Sequence, residues 1–217
     1  QKVGEDTMVF GLGEKTRYLE KSGAVYEMWN RDAGGFYTHN EDPLYSTIPF
    51  YLLKNPENSA SDFPFVGVYL HNSERSRFAV KTGGYHDRVE ISVKAPVANL
   101  YLFPGSEVKE IIENYTELTG KPFLPPRWAL GYHHSEYGKP ADQEEALELA
   151  KQFRDKNIPC DAIYFDIQHM KGNRDFTWDR EAFPDPKELI GRLHQLGFHV
   201  VNIVDPGIKE ESGYDVY

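Results

Sequence analysis

Apolar and polar positions run in two rhythms along this chain. As far as Phe103, short apolar or alternating stretches recur: AVYEMWN (24–30), STIPFYLL (46–53), FPFVGVYL (63–70), RFAVKTGG (77–84), VEISVKA (89–95) and ANLYLFP (98–104), with Gly, Pro, Asn and Ser between them. A period of two suits a strand buried on one face, and short strands at this spacing predict an antiparallel sheet or β-sandwich. The many Tyr and Phe residues fit the space between sheets. After Pro104 the period lengthens. GSEVKEIIENYTELTG (105–120) puts Val108, Ile111, Ile112 and Tyr115 at helical spacing, with Ser106 as the expected N-cap and Gly120 as the stop.

The proline-stiffened KPFLPPR that follows predicts a domain boundary near residue 121. It divides a sandwich with a C-terminal linker helix (1–120) from a second domain (121–217). In the second part strand and helix alternate. WALGYHH (128–134), CDAIYFDI (160–167) and HVVNIVDP (199–206) read as strands. DQEEALELAKQFRDKN (142–157) reads as a helix burying Ala146, Leu149, Ala150 and Phe153. PKELIGRLHQLG (186–197) reads as another, with Leu189, Ile190, Leu193 and Leu196 inward. Strand, helix, strand, helix, strand with short links predicts parallel strands joined by crossover helices, and nearly continuous apolar strands predict a sheet covered on both faces.

Composition removes several classes of partner. The 217 residues suffice for a real core. A net charge of −10 with no Lys/Arg cluster is a poor surface for nucleic acid or an anionic membrane. No apolar run approaches the ~20 residues of a membrane helix. The opening QKVGEDTMVF has no basic start followed by an apolar stretch, so no signal peptide is visible. Cys160 is the single cysteine, which excludes an internal disulfide and is compatible with cytoplasm. Its neighbours predict a small buried thiol rather than a nucleophile. No cofactor is expected.

Parallel α/β sheets collect reactive groups at the C-terminal ends of their strands. Here those ends carry His133-His134, Asp166 and Asp205. A glycosidase would use such carboxylates beside flat aromatic rings, and Tyr132, Tyr137, Phe176 and Trp178 lie in or near the same loops. A non-catalytic sugar-binding protein could use the same groups. A metal hydrolase would draw on His133, Asp166 and Asp205, but neighbouring strand residues point to opposite faces, so His133 and His134 could not both reach one ion. The plainest alternative makes Asp166 a loop cap, paired with Arg174.

Three long stretches, LPPRWALGYHHSEYG, FRDKNIPCDAIYFDIQHMKGNRDFTWD and FPDPKELIGRLHQLGFHVVNIVDPGIK, resemble glycoside hydrolase family 31, the α-glucosidases and α-xylosidases. Upstream, FGLGEKT (10–16), WNRD (29–32) and DPLYSTIPFYL (42–52) resemble the segment before that family's barrel. The resemblance covers essentially the whole chain. It implies a galactose-mutarotase-like β-sandwich, whole or in part, followed by the first three or so βα units of a (β/α)8 barrel. It also implies retaining hydrolysis through an Asp nucleophile and an Asp acid. Matched by position, Asp166 is similar to the aspartate that accepts from the outer hydroxyls of the bound sugar, with Ile167 next to it. Asp32 is similar to the aspartate of a sandwich-derived loop that touches substrate. Ile203 matches an apolar residue lining the same subsite, Asp205 lies just behind it, and Tyr137 falls where many members have Trp.

Some positions depart from the family pattern. Where many relatives read Q-S-R-W, this chain has His134-Ser135-Glu136-Tyr137, and where D-x-D-Y-M-D is common it has Asp166-Ile167-Gln168-His169-Met170-Lys171. No motif resembling the nucleophile's W-x-D-M-N-E occurs. The resemblance therefore implies no catalytic carboxylate in this chain and the remainder of the barrel supplied in cis or by a second chain. The expected partner is an α-linked oligosaccharide or α-glucoside, and the chain alone is expected to be inactive.

Overall fold

The computed structural model describes residues 2–57 and 61–217, which divide into two compact units, Gln1–Pro122 and Phe123–Tyr217. The first is a sandwich of two antiparallel sheets. One has four strands in the order β1 (Met8–Gly11), β3 (Phe50–Lys54), β4 (Phe65–His71) and β7 (Asn99–Gly105). The other orders β2 (Ala24–Met28), β5 (Ser76–Val80) and β6 (Val89–Val93). Alternation decides what each face does. Tyr51 and Leu53 of β3 join Val68 and Leu70 of β4 and Tyr26, Phe78 and Val80 of the second sheet in one core. The opposite face of β3, Phe50 and Leu52, packs with Ile111 of helix α1 (Val108–Thr119).

Helix α1 fits closely because β4 carries a glycine under it. A Cβ at Gly67 would lie 2.5 Å from Ile111 Cγ2. Burying Ile111 completely contributes about 1.5–3 kcal/mol relative to exposure. Ser106 is not the N-cap expected of it. Glu107 holds that place without a side-chain bond, and both the amide and the hydroxyl of Ser106 donate to the Glu110 carboxylate, at 3.0 and 3.2 Å. Gly120 ends the helix at φ 102°, its amide donating to Thr116 O.

The second unit is a three-stranded parallel arc, β8 (His133–His134), β9 (Ala162–Phe165) and β10 (His199–Asn202), with β9 in the middle. Helices α2 (Gln143–Asp155) and α3 (Pro186–Gln195) form the crossovers. Such βα units are what a (β/α)8 barrel is built from. Ile163 and Phe165 pack with Ala146 and Ala150 of α2 and with Leu189 and Leu193 of α3. Asp142 and Asp185 cap these helices, accepting from Glu145 N at 2.8 Å and Glu188 N at 2.9 Å. Among the described residues no helix is long and apolar enough to cross a membrane.

Four local expectations are corrected. WALGYHH is not one strand: Arg127–Leu130 form a 3-10 turn closed by Gly131, and only His133–His134 pair with β9. At Gly131 a Cβ would lie 1.8 Å from Asp161 Oδ2. The second strand stops at Phe165, so Asp166 caps a 3-10 turn (Ile167–His169). The third stops at Asn202, which leaves Asp205 beyond the sheet. Leu196 is not inward but 38% exposed, because α3 ends before it.

Candidate functional site

The second unit presents its polar groups where β9 and β10 end. Along β9, Ile163 and Phe165 face the helices, so alternation gives Ala162, Tyr164 and the extended Asp166 the other face. Register puts His133 and His199 beside Ala162, and Val201 beside Tyr164, on that face. His133 Nδ1 lies 3.1 Å from the Tyr164 hydroxyl, its Nε2 3.2 Å from Trp128 O, and Trp128 stacks on His199 at 4.1 Å.

Asp166 is half-buried. Its Oδ1 accepts from Ile167 N at 2.6 Å, and its backbone carbonyl takes His169 N at 3.1 Å, with His169 Nδ1 2.7 Å away. The loop-cap reading therefore holds for one carboxylate oxygen, and Oδ2 has no hydrogen-bond partner among the described residues. The proposed partner Arg174 is engaged elsewhere, with Glu211. Ile203 remains beside β9, its amide donating to Phe165 O at 3.0 Å, so Asp166 and Ile203 lead off adjacent strands at one edge. Asp205 is exposed beyond them, its carbonyl accepting from Gly207 N.

Tyr137 is 82% exposed in the turn after β8. In that turn a Cβ on Gly138 would stand 4.0 Å from Gln168 Nε2, so the loops after β8 and β9 adjoin. Gln168 is a residue that motif reading noted only as a lost carboxylate. Its Oε1 is buried without a hydrogen-bond partner among the described residues. His134 points the other way, onto Phe153 of α2. No three His, Cys, Asp or Glu side chains gather as a metal group among the described residues, and His133, Asp166 and Asp205 form none.

Asp32 belongs to the first unit, on an exposed loop after β2. Its Oδ1 accepts from the Tyr45 hydroxyl at 2.6 Å and from Gly34 N at 2.7 Å. These bonds, that of Tyr45 first, hold its carboxyl below the ordinary range. Tyr37 extends the chain, its hydroxyl 2.9 Å from that of Tyr45, whose own ionisation is pushed up by Asp32. Neither tyrosine stood out in the sequence. An Asp followed by aromatic residues within one loop was the only signal.

Known proteins bear on both units. Residues 122–217 match the glycosyl hydrolases family 31 TIM-barrel domain, and residues 2–78 match the glycosyl hydrolase 31 N-terminal galactose mutarotase-like domain. The chain is 40% identical to alpha-glucosidase 2 of Bacillus thermoamyloliquefaciens, covering 96% of this chain and 25% of that protein. It is 31% identical to alpha-xylosidase XylQ of Lactiplantibacillus pentosus, over 97% of this chain and 26% of that one. A solved family 31 alpha-glucosidase from Bacteroides thetaiotaomicron superposes with a TM-score of 0.84 at 28% identity, covering all of this chain and 35% of its own. The chain spans about a quarter of the length of the curated relatives it matches.

Proposed function

This chain belongs to glycosyl hydrolase family 31, and from that membership we propose that it forms part of a retaining α-glycosidase acting on terminal α-linked glucose. Its contribution is the grip on the sugar. Asp166 carries the reading: a half-buried carboxylate at a strand end, one oxygen anchored on Ile167 N and the other free to accept from sugar hydroxyls. Hydrogen bonds to a charged group are worth roughly 1.5–3 kcal/mol each, enough to fix a ring for attack at its anomeric carbon. In this reading Ile167 and Ile203 line the apolar side, Tyr137 offers a flat ring and Asp205 stands behind; Asp32, its orientation set by Tyr45, is a further substrate-binding carboxylate.

In this reading the nucleophile and the acid are supplied outside these residues, by the remainder of the barrel in cis or on a second chain. The nucleophile would form a covalent glycosyl-enzyme, and the acid would protonate the leaving oxygen and later activate water. The 217-residue chain then hydrolyses nothing alone. Assaying it against maltose and p-nitrophenyl α-glucoside, with and without the remaining barrel, tests this. Turnover by the chain alone would overturn the division of labour, and no turnover by the complete enzyme would overturn the α-glucosidase reading.

A further inference from the structure

The segments that leave β9 and β10 are tied to each other at a distance from the sheet. Arg174 Nη2 donates to both carboxylate oxygens of Glu211, at 2.6 and 2.5 Å. Its Nη1 donates to Lys171 O at 2.9 Å, so one guanidinium grips its own loop and the neighbouring segment together. Lys209 Nζ adds a contact to Glu211 at 2.7 Å. A second tie stands apart from the first: the Tyr214 hydroxyl donates to Asp175 O at 2.7 Å, and both residues are buried. Thr177 closes the loop on itself, accepting from Lys171 N at 2.9 Å and donating to Arg174 O at 2.6 Å.

The first of these segments opens with Asp166 and Ile167, the second with Ile203 and Asp205. We propose that Arg174, Glu211 and Tyr214 are positioning residues, a clamp that makes the two strand-end loops one unit and so presets Asp166 against Ile203 for the sugar. The inference rests on the sugar-binding reading above. A carboxylate that grips hydroxyls must be held closely, since its hydrogen bonds to the bound sugar weaken steeply as distance and angle leave the favoured geometry. The Asp166 side chain has one anchor, Ile167 N, and His169 holds its carbonyl, so the ties at Arg174 and Tyr214 act on the part of the loop beyond that turn. Arginine suits the task because two of its nitrogens serve two segments at once. A lysine ammonium has three donors on a single nitrogen but lacks the planar fork that meets both carboxylate oxygens of Glu211 while reaching Lys171 O.

The test places R174K, E211Q and Y214F in the complete catalytic polypeptide. It follows steady-state kinetics on a short α-glucoside and amide exchange over residues 167–178. The clamp predicts that R174K and E211Q raise KM about tenfold while kcat moves less than about twofold, the pattern of lost ground-state positioning. Exchange should quicken over 167–178 and stay as in wild type over α2. The charge swap R174E/E211R should recover part of the KM. Faster exchange with an unmoved KM overturns the proposal, since the ties would then be structural only. If E211Q loosens α2 as well, Y214F decides, with a KM rise of about threefold expected and none overturning the idea. Wild-type turnover with unmoved KM values defeats the clamp alone, whereas absence of wild-type turnover defeats the functional reading beneath it.

Discussion

Lys15 Nζ lies 2.9 Å from Asp42 Oδ1, with the lysine side chain fully covered and the aspartate side chain 8% exposed. The pair knots the foot of the loop that carries Asp32. Lys15 also donates to Glu27 O, and Asp42 Oδ2 accepts from Glu27 N at 2.6 Å. A buried pair broken on one side leaves an uncompensated charge, at a cost of about 3–5 kcal/mol. K15M should therefore destabilise the first unit by about that much. Exchange of the slowest β2 and β5 amides under increasing denaturant measures it, and D42N added to K15M should return part of the loss.

Gly67 allows α1 to lie on β4. A Cβ there would also come within 3.0 Å of the Phe50 ring, so G67A must push either the ring or Ile111 aside. Overpacking of this kind costs about 1–3 kcal/mol. The expected signature is faster exchange in α1 and β4, with β9 and α2 of the second unit unchanged.

Cys160 is 5% exposed, with Sγ directed at Ala162 O, and burial pushes its thiol above the usual range. The thiolate is the reactive form, so iodoacetamide at pH 8 should label the native chain at least about a hundredfold more slowly than the urea-unfolded one. Comparable rates would make the thiol accessible and contradict its place beside α2 and α3.

Apolar or alternating runs made β2 to β7 and all three helices legible, because each of these elements is five or more residues long. Strand β1 escaped notice. MVFG is only four residues long, and its partner β3 lies far along the chain. All three strands of the parallel arc were read too long for a related reason. Apolar runs record burial, whereas a strand ends where its neighbour's pairing ends, at His134 opposite Ile163 and at Asn202 opposite Phe165. The strand-end position of Asp166 could be read from the chain, but its contacts could not. Arg174 pairs with Glu211, 37 positions later, and Tyr45 orients Asp32 across a loop, and no local spacing encodes either.

Glu211 should titrate far from a free glutamate. Arg174 first and Lys209 second hold its carboxyl down to about 2. The group's folded value lies below its ordinary 4.5, so its contribution to stability is fully present above 4.5 and lost as pH falls through about 2. Carboxyl carbon NMR of labelled protein should give a midpoint near 2 for Glu211, rising in R174M while Lys209 retains part of the shift. A midpoint near 4.5 in the wild type would mean that the ion pair is absent in solution.

Asp166→Asn separates the two duties of this side chain. Asparagine keeps a carbonyl oxygen able to accept from Ile167 N, so the turn and the strand should survive, and exchange over β9 should match wild type. The charge is lost, and with it the stronger form of each hydrogen bond to a sugar hydroxyl. With roughly 1.5–3 kcal/mol at stake per charged hydrogen bond, kcat/KM on an α-glucoside should fall by about 10²–10³-fold in the complete enzyme. Product-release steps could mask a change in kcat alone, so single-turnover rates at saturating substrate should be read beside kcat/KM. An intact fold with unchanged kinetics would remove Asp166 from the sugar site and leave it as the cap of its turn.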